Sequence, residues 1–106
     1  MLRPWLIAGQ LWTCGVIRAE VLRGVRLPRI KSDLNDLFDA MAEVPTDAGL
    51  WRATADLAWE LDRRGTILPL TDLIIAACAL QVGAPVVTLD GYFSLVPGLQ
   101  TRRDLP

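Results

Sequence analysis

The apolar and polar positions divide the chain into short β-like runs and longer amphipathic stretches, punctuated by Gly and Pro. Residues 2–8 read as the end of a helix broken at Gly9. Residues 11–17, Leu-Trp-Thr-Cys-Gly-Val-Ile, are rich in strand formers and predict a buried strand. The chain then turns helical over about 17–25, with Gly24 at the end and 25–28 as a connector. Ser32 is a suitable N-cap for a helix over 33–43. Its apolar positions Leu34, Leu37, Phe38 and Met41 keep the spacing of one helical face, and Pro45 stops it. Thr46 or Asp47 opens a second long helix reaching about Arg64, with Leu50, Thr54, Leu57 and Leu61 on one side and Gly65 as its stop. Residues 67–70 form a linker in which Pro69 excludes a central strand. Thr71 then caps a helix from Asp72 to about Val82, closed by Gly83. That helix is apolar nearly all round, so it is expected to be buried on most sides. Residues 86–89 predict a short strand of the parallel-sheet type, 95–98 a turn and 99–102 a final edge strand.

Helices outnumber strands in this order, which predicts an α/β class, three-layer α/β/α, with a small parallel sheet. The 106 residues are expected to make a single domain, 1–106. In such sheets the active site lies beyond the carboxyl ends of the strands. Asp90, directly after the 86–89 strand, stands at such a place.

Charge adds a direction to this picture. The net charge is −1, but residues 1–31 carry six cations (Arg3, Arg18, Arg23, Arg26, Arg29, Lys31) against Glu20, a net +5. Residues 32–62 carry eight acids against Arg52, a net −7, and the remainder carries +1. A basic stretch with one embedded acid suits a polyanion approaching a metal, and equally a solvated face. Histidine is absent, which excludes Ser-His-Asp triads, Cys-His nucleophiles and His-ligated zinc. No Gly-rich phosphate loop is present. Cys14 and Cys78 stand far apart in apolar surroundings and read as buried structural thiols. No secretory signal pattern opens the chain, and no apolar run is long enough to span a bilayer, so the expected location is the cytoplasm. Carboxylates are left as the reagents.

Three acids stand out, and each has an ordinary explanation. Glu20 follows a predicted strand and is explained equally by pairing with Arg18 or Arg23. Asp72 is the sole charge between Thr66 and Leu89, and a first-turn acid also satisfies the helix dipole. Asp90-Gly91 also fits a tight turn. An ionised carboxylate beside a core is costly unless something compensates it, so the set together suggests a cation site.

The setting of these acids resembles the PIN domain family, the metal-dependent ribonuclease fold of VapC-type toxins. Residues 11–25 match its strand, then small-residue helix with Glu20, then Gly24. Gly65, Pro69, Asp72, Ile75, Ala76 and Ala77 match its Gly-Pro-Asp-Ile-Ala-Ala segment with slightly different spacing. Thr88, Asp90 and Phe93, trailed by 96–99, match its Thr-x-Asp-x-x-Phe signature. The resemblance implies hydrolysis of single-stranded or loop RNA by a metal-activated water, with Mg²⁺ or Mn²⁺ held by oxygen ligands. Asp72 and Asp90 are then metal ligands, and Glu20 ligates a metal or orients the water. Arg18 and Arg23 contact phosphate, and the Thr88 hydroxyl supports Asp90. The implied partners are RNA, a small antitoxin protein and a second copy of the chain. Trp12, Trp51 and Trp59 read as core or dimer interface rather than as base-stacking platforms.

The chain departs from the family pattern twice. The family's opening strand, which ends in a principal metal-binding Asp and lies centrally in the sheet, is absent, and Tyr92 stands where a further acid often precedes the Phe. Without a central strand its neighbours lose backbone partners. The expectation is therefore that Met1 is a misplaced start, with roughly one β–α unit upstream, and that the chain alone is poorly soluble. Two other readings remain open: a catalytically impaired relic that binds an antitoxin or dimerises, and an unrelated small α/β binder whose acids are structural.

Overall fold

The computed structural model describes residues 5–7, 11–88 and 91–103. Strands β1 (Trp5–Ile7) and β2 (Leu11–Thr13) are followed by helices α1 (Gly15–Arg23) and α2 (Pro28–Ala40). Then come β3 (Ala42–Glu43), α3 (Ala48–Arg63), α4 (Leu70–Val82), β4 (Val86–Val87), a 3₁₀ turn (Gly91–Leu95) and β5 (Thr101–Arg102). The sheet order is β3-β2-β1-β4-β5. β2–β3 and β4–β5 pair parallel, while β1 runs antiparallel to both β2 and β4. The mixed α/β architecture, with short parallel pairs and four helices, agrees with the α/β/α expectation.

The sheet centre is the main correction. Residues 2–8 were expected to end a helix, yet Trp5–Ile7 are the central strand, with Leu6 opposite Trp12 on one side and Val86 on the other. A short apolar run has no periodicity that separates helix from strand, and pairing on both edges decides it. The sheet centre is therefore not vacant, as the missing opening strand had implied. No carboxylate lies in this strand or anywhere before Glu20.

Other boundaries move for local reasons. The predicted strand over 11–17 stops at Thr13, because Cys14, with extended backbone, becomes the N-cap of α1. α2 starts at Pro28 rather than after Ser32, since proline at the first helical position is preorganised for a helix and gives up only an N–H that would lack a partner there. Its predicted end at 43 gives way to Ala42–Glu43, which pair with Trp12–Thr13. α4 begins at Leu70 with Pro69 as N-cap, so Thr71 does not cap it. α3 keeps its predicted cap: Asp47 Oδ1 accepts from the Leu50 N–H at 3.0 Å.

The core is built around α4. Leu73 through Ala79 are all buried, with Ala76, Cys78 and Ala79 at 0 % exposure. Small side chains here let neighbouring helices approach, and α3 and α1 both pack on α4. Gly83, at φ 67°, ends the helix in the left-handed region, which a side chain would strain. Ile17 of α1, Phe38 of α2 and Leu50, Thr54 and Leu61 of α3 close the core from the other helices. Of the α2 stripe, Phe38 is buried but Leu37 is exposed.

Candidate functional site

Glu20 lies in the second turn of α1 and is half-buried. Asp72 is the sole acid in the first turn of α4, also half-buried, at a helix start with no side-chain cap. The aligned peptide dipoles of α4 favour negative charge there. The two acids therefore stand on helices that pack together. Thr88 is buried at the end of β4, its N–H donating to the Arg102 carbonyl at 2.8 Å. Asp90 lies outside the described residues.

The α1–α4 packing has an unpredicted core. Cys14, at the N-cap of α1, meets Cys78 in the middle of α4, and both thiols are fully buried and free. The Cys78 thiol donates toward Cys14, which holds the Cys14 pKa below the ordinary thiol value. Burial and the Glu43 charge oppose this, while the first-turn N–H groups of Ile17 and Val16 assist, although no side-chain capping bond is made. The same contact, together with burial, pushes Cys78 upward. Nothing in the sequence signals this pairing, because 64 residues separate the two thiols.

The two arginines fare differently. Arg18 turns onto α2: its Nη2 donates to Asn35 Oδ1 at 2.9 Å and Asp39 Oδ1 at 2.8 Å, and its guanidinium lies 5.7 Å from the centre of the Phe38 ring. Arg23, in the last turn of α1, is exposed. Asn35 and Asp39 escape a sequence reading, because only the α1–α2 packing brings them to Arg18. Trp51 and Trp59 lie on the outer face of α3, 49 % and 59 % exposed, with Arg63 stacked 4.7 Å from Trp59. They are not core. A groove of about 500 Å³ runs between α3 and α4, lined by Ala53, Leu57, Ala77 and Leu80 among others. None of the candidate acids lines it.

The donor chemistry is that of a hard cation. Glu20 and Asp72 offer carboxylate oxygens, which suit Mg²⁺ or Mn²⁺, and histidine is absent from the chain. Among the described residues, no three His, Cys, Asp or Glu side chains come together as a metal-holding group. The fit is therefore one of kind: two oxygen donors on adjoining helices, with Asp90 outside the described set. Among the described residues, no helix is long and apolar enough to cross a membrane.

No curated protein shows significant sequence similarity to this chain. The family model for the PIN domain matches residues 2–99. That span takes in Glu20 on α1, Asp72 at the start of α4 and the segment after β4, and nearly the whole mixed sheet. The chain belongs to the PIN domain family.

Proposed function

We propose that this protein is a metal-dependent endoribonuclease, the toxin of a type II toxin–antitoxin pair, acting in the cytoplasm. PIN domains are in general nucleases that act on nucleic acid with divalent metals. The observation that carries the reading is the family match over residues 2–99 together with the two half-buried carboxylates, Glu20 and Asp72, on adjoining helices. Asp72 and Asp90 would hold Mg²⁺ or Mn²⁺, and Glu20 would ligate it or orient a water. When bound, the metal supplies a more acidic water and offsets charge on the scissile phosphate. Asp72 sits in the first turn of α4, where the helix dipole favours a negative charge, and the burial of that helix sets its position. Thr88, two residues before Asp90 in sequence, is buried at the end of β4, where its N–H donates to the Arg102 carbonyl, and its hydroxyl supports Asp90. Arg23 meets the phosphate backbone. Arg18 acts mainly by fixing α1 on α2. The antitoxin is a small protein that covers the candidate carboxylates, and the exposed Trp51 and Trp59 suit a homodimer contact.

One observation favours a second reading. The central strand Trp5–Ile7 supplies no carboxylate, whereas the family resemblance places a metal-binding Asp at the end of the central strand. On that reading the chain is a catalytically impaired relic that binds an antitoxin or dimerises.

RNA cleavage with Mg²⁺ or Mn²⁺, with EDTA and Asp72→Asn as controls, separates the two. The nuclease reading expects cleavage that EDTA abolishes and Asp72→Asn lowers by about 100-fold or more. Cleavage surviving Asp72→Asn overturns that assignment of Asp72. Absence of both cleavage and calorimetric Mn²⁺ binding favours the relic.

A further inference from the structure

The end of α1, the connector and the first turn of α2 together carry four cations, Arg23, Arg26, Arg29 and Lys31, with no acid between Glu20 and Asp33. All four are exposed, and none has an ion-pair partner among the described residues. Arg18, by contrast, is consumed by Asn35 and Asp39. α2 opens in the same place with Leu27 as N-cap, no side-chain cap and no acid in its first turn. Its first N–H groups add positive potential to the side-chain charge. Leu27 and Ile30 stand among the cations, 64 % and 44 % exposed, and provide apolar surface between the charges. Asp33 and Asp36 follow one and two turns beyond Arg29 and end the basic region. The residues that follow, 32–62, carry a net −7 and repel a polyanion. Arg63–Arg64 and Arg102–Arg103 are pairs, so the ledge is the longest run of cations in the sequence without an intervening acid.

We infer that the ledge of Arg23, Arg26, Arg29 and Lys31 at the α1–α2 junction is a track for the phosphate backbone of single-stranded RNA. The inference rests on the nuclease reading and says where the substrate lies outside the cleavage site. Nucleic acid is favoured over an acidic polypeptide because the ledge continues the helix that carries Glu20. Arg23 follows Glu20 by three residues and lies on the same helical face. A strand whose phosphates follow the ledge thus leads toward that carboxylate.

The test is binding of a 5′-fluorescein-labelled uridine 20-mer in EDTA, followed by anisotropy across a KCl series. The variant Arg26→Gln/Arg29→Gln/Lys31→Gln is compared with Arg52→Gln/Arg63→Gln/Arg64→Gln, which removes three exposed cations from α3 and its C-cap. Circular dichroism checks that both fold. The ledge variant is expected to bind at least about 10-fold more weakly, with a salt slope shallower by about 2, at about 0.7 per lost phosphate contact. The α3 variant is expected to change by less than about threefold. Equal losses in the two variants, or none in the ledge variant, overturn the proposal. So does polyglutamate displacing the RNA as well as unlabelled RNA does, which assigns the ledge to an acidic polypeptide. Ledge-dependent binding by a protein that cleaves nothing with Mg²⁺ or Mn²⁺ removes the nuclease reading and keeps the ledge. Asp72-dependent cleavage with an unchanged KM in the ledge variant removes the ledge and keeps the nuclease.

Discussion

Arg18 shows how one side chain changes meaning between sequence and structure. Its place two residues before Glu20 suggested a phosphate contact. In the fold its guanidinium serves Asn35 and Asp39 and covers the face of Phe38. Asp39 is 66 % exposed, so that ion pair is screened, and the energy lies more in packing over Phe38 and in the bond to Asn35. Arg18→Ala is expected to lower the unfolding free energy by about 1 kcal/mol, and Asp39→Asn by no more than about 0.5 kcal/mol, in urea titrations. If Arg18→Ala leaves stability untouched and weakens RNA binding, the guanidinium is a phosphate ligand after all. The thiols give a second residue-scale lesson. Apolar neighbours were enough to foresee that Cys14 and Cys78 are buried. Only packing shows that they touch and that one thiol becomes the more acidic.

Among the elements, α3 and α4 contrast. α3 is amphipathic, with a buried side of Leu50, Thr54 and Leu61 and a capping Asp47, and its bounds were readable to within a residue or so. Its cap belongs to the local chain, because the Asp47 carboxylate satisfies an N–H three residues on. Asp47→Ala is expected to cost about 1 kcal/mol, while Asp47→Ser retains most of that stability. Equal unfolding midpoints for wild type and Asp47→Ala would show that the cap is not holding α3. α4 instead draws its stability from neighbours. It is apolar on every side, and burying a side chain such as Leu73 or Ile75 is worth about 1.5–3 kcal/mol each. The same burial sets the position of Asp72, since the acid directly precedes the stretch from Leu73 to Ala79 that is wholly buried. Ser32 and Thr71 were attractive N-caps that the structure does not use. Proline at Pro28 and the turn at Pro69 begin those helices earlier.

For the molecule as a whole, β1 is the joint. It pairs with β2 on one edge and β4 on the other, and so connects the β3–β2 pair to the β4–β5 pair. Leu6 lies opposite both Trp12 and Val86. Leu6→Pro removes an N–H from the central strand and is expected to destabilise by about 3 kcal/mol or more, collapsing cooperative unfolding in denaturant titrations. An unchanged midpoint would mean that the two halves of the sheet hold without β1. The separation of charge also appears at this scale: the α1–α2 junction is basic, and the stretch after it is strongly acidic. The proposed RNA path along the junction rests on that contrast, not on any one residue.

The amino-acid sequence by itself determined the α/β class, α3 within a residue or so of its ends, the buried α4 and the short strand at Val86–Val87. These depend on local periodicity and on caps that lie within a turn of what they serve. Tertiary structure alone decided the rest. It turned residues 5–7 into the antiparallel centre of the sheet and made a strand of Ala42–Glu43. It also drew Arg18 onto α2 and brought Cys14 to Cys78. Runs of two or three residues carry no period of their own, and contacts between residues far apart in sequence leave no mark in spacing. Such features take their form from the partner the fold supplies.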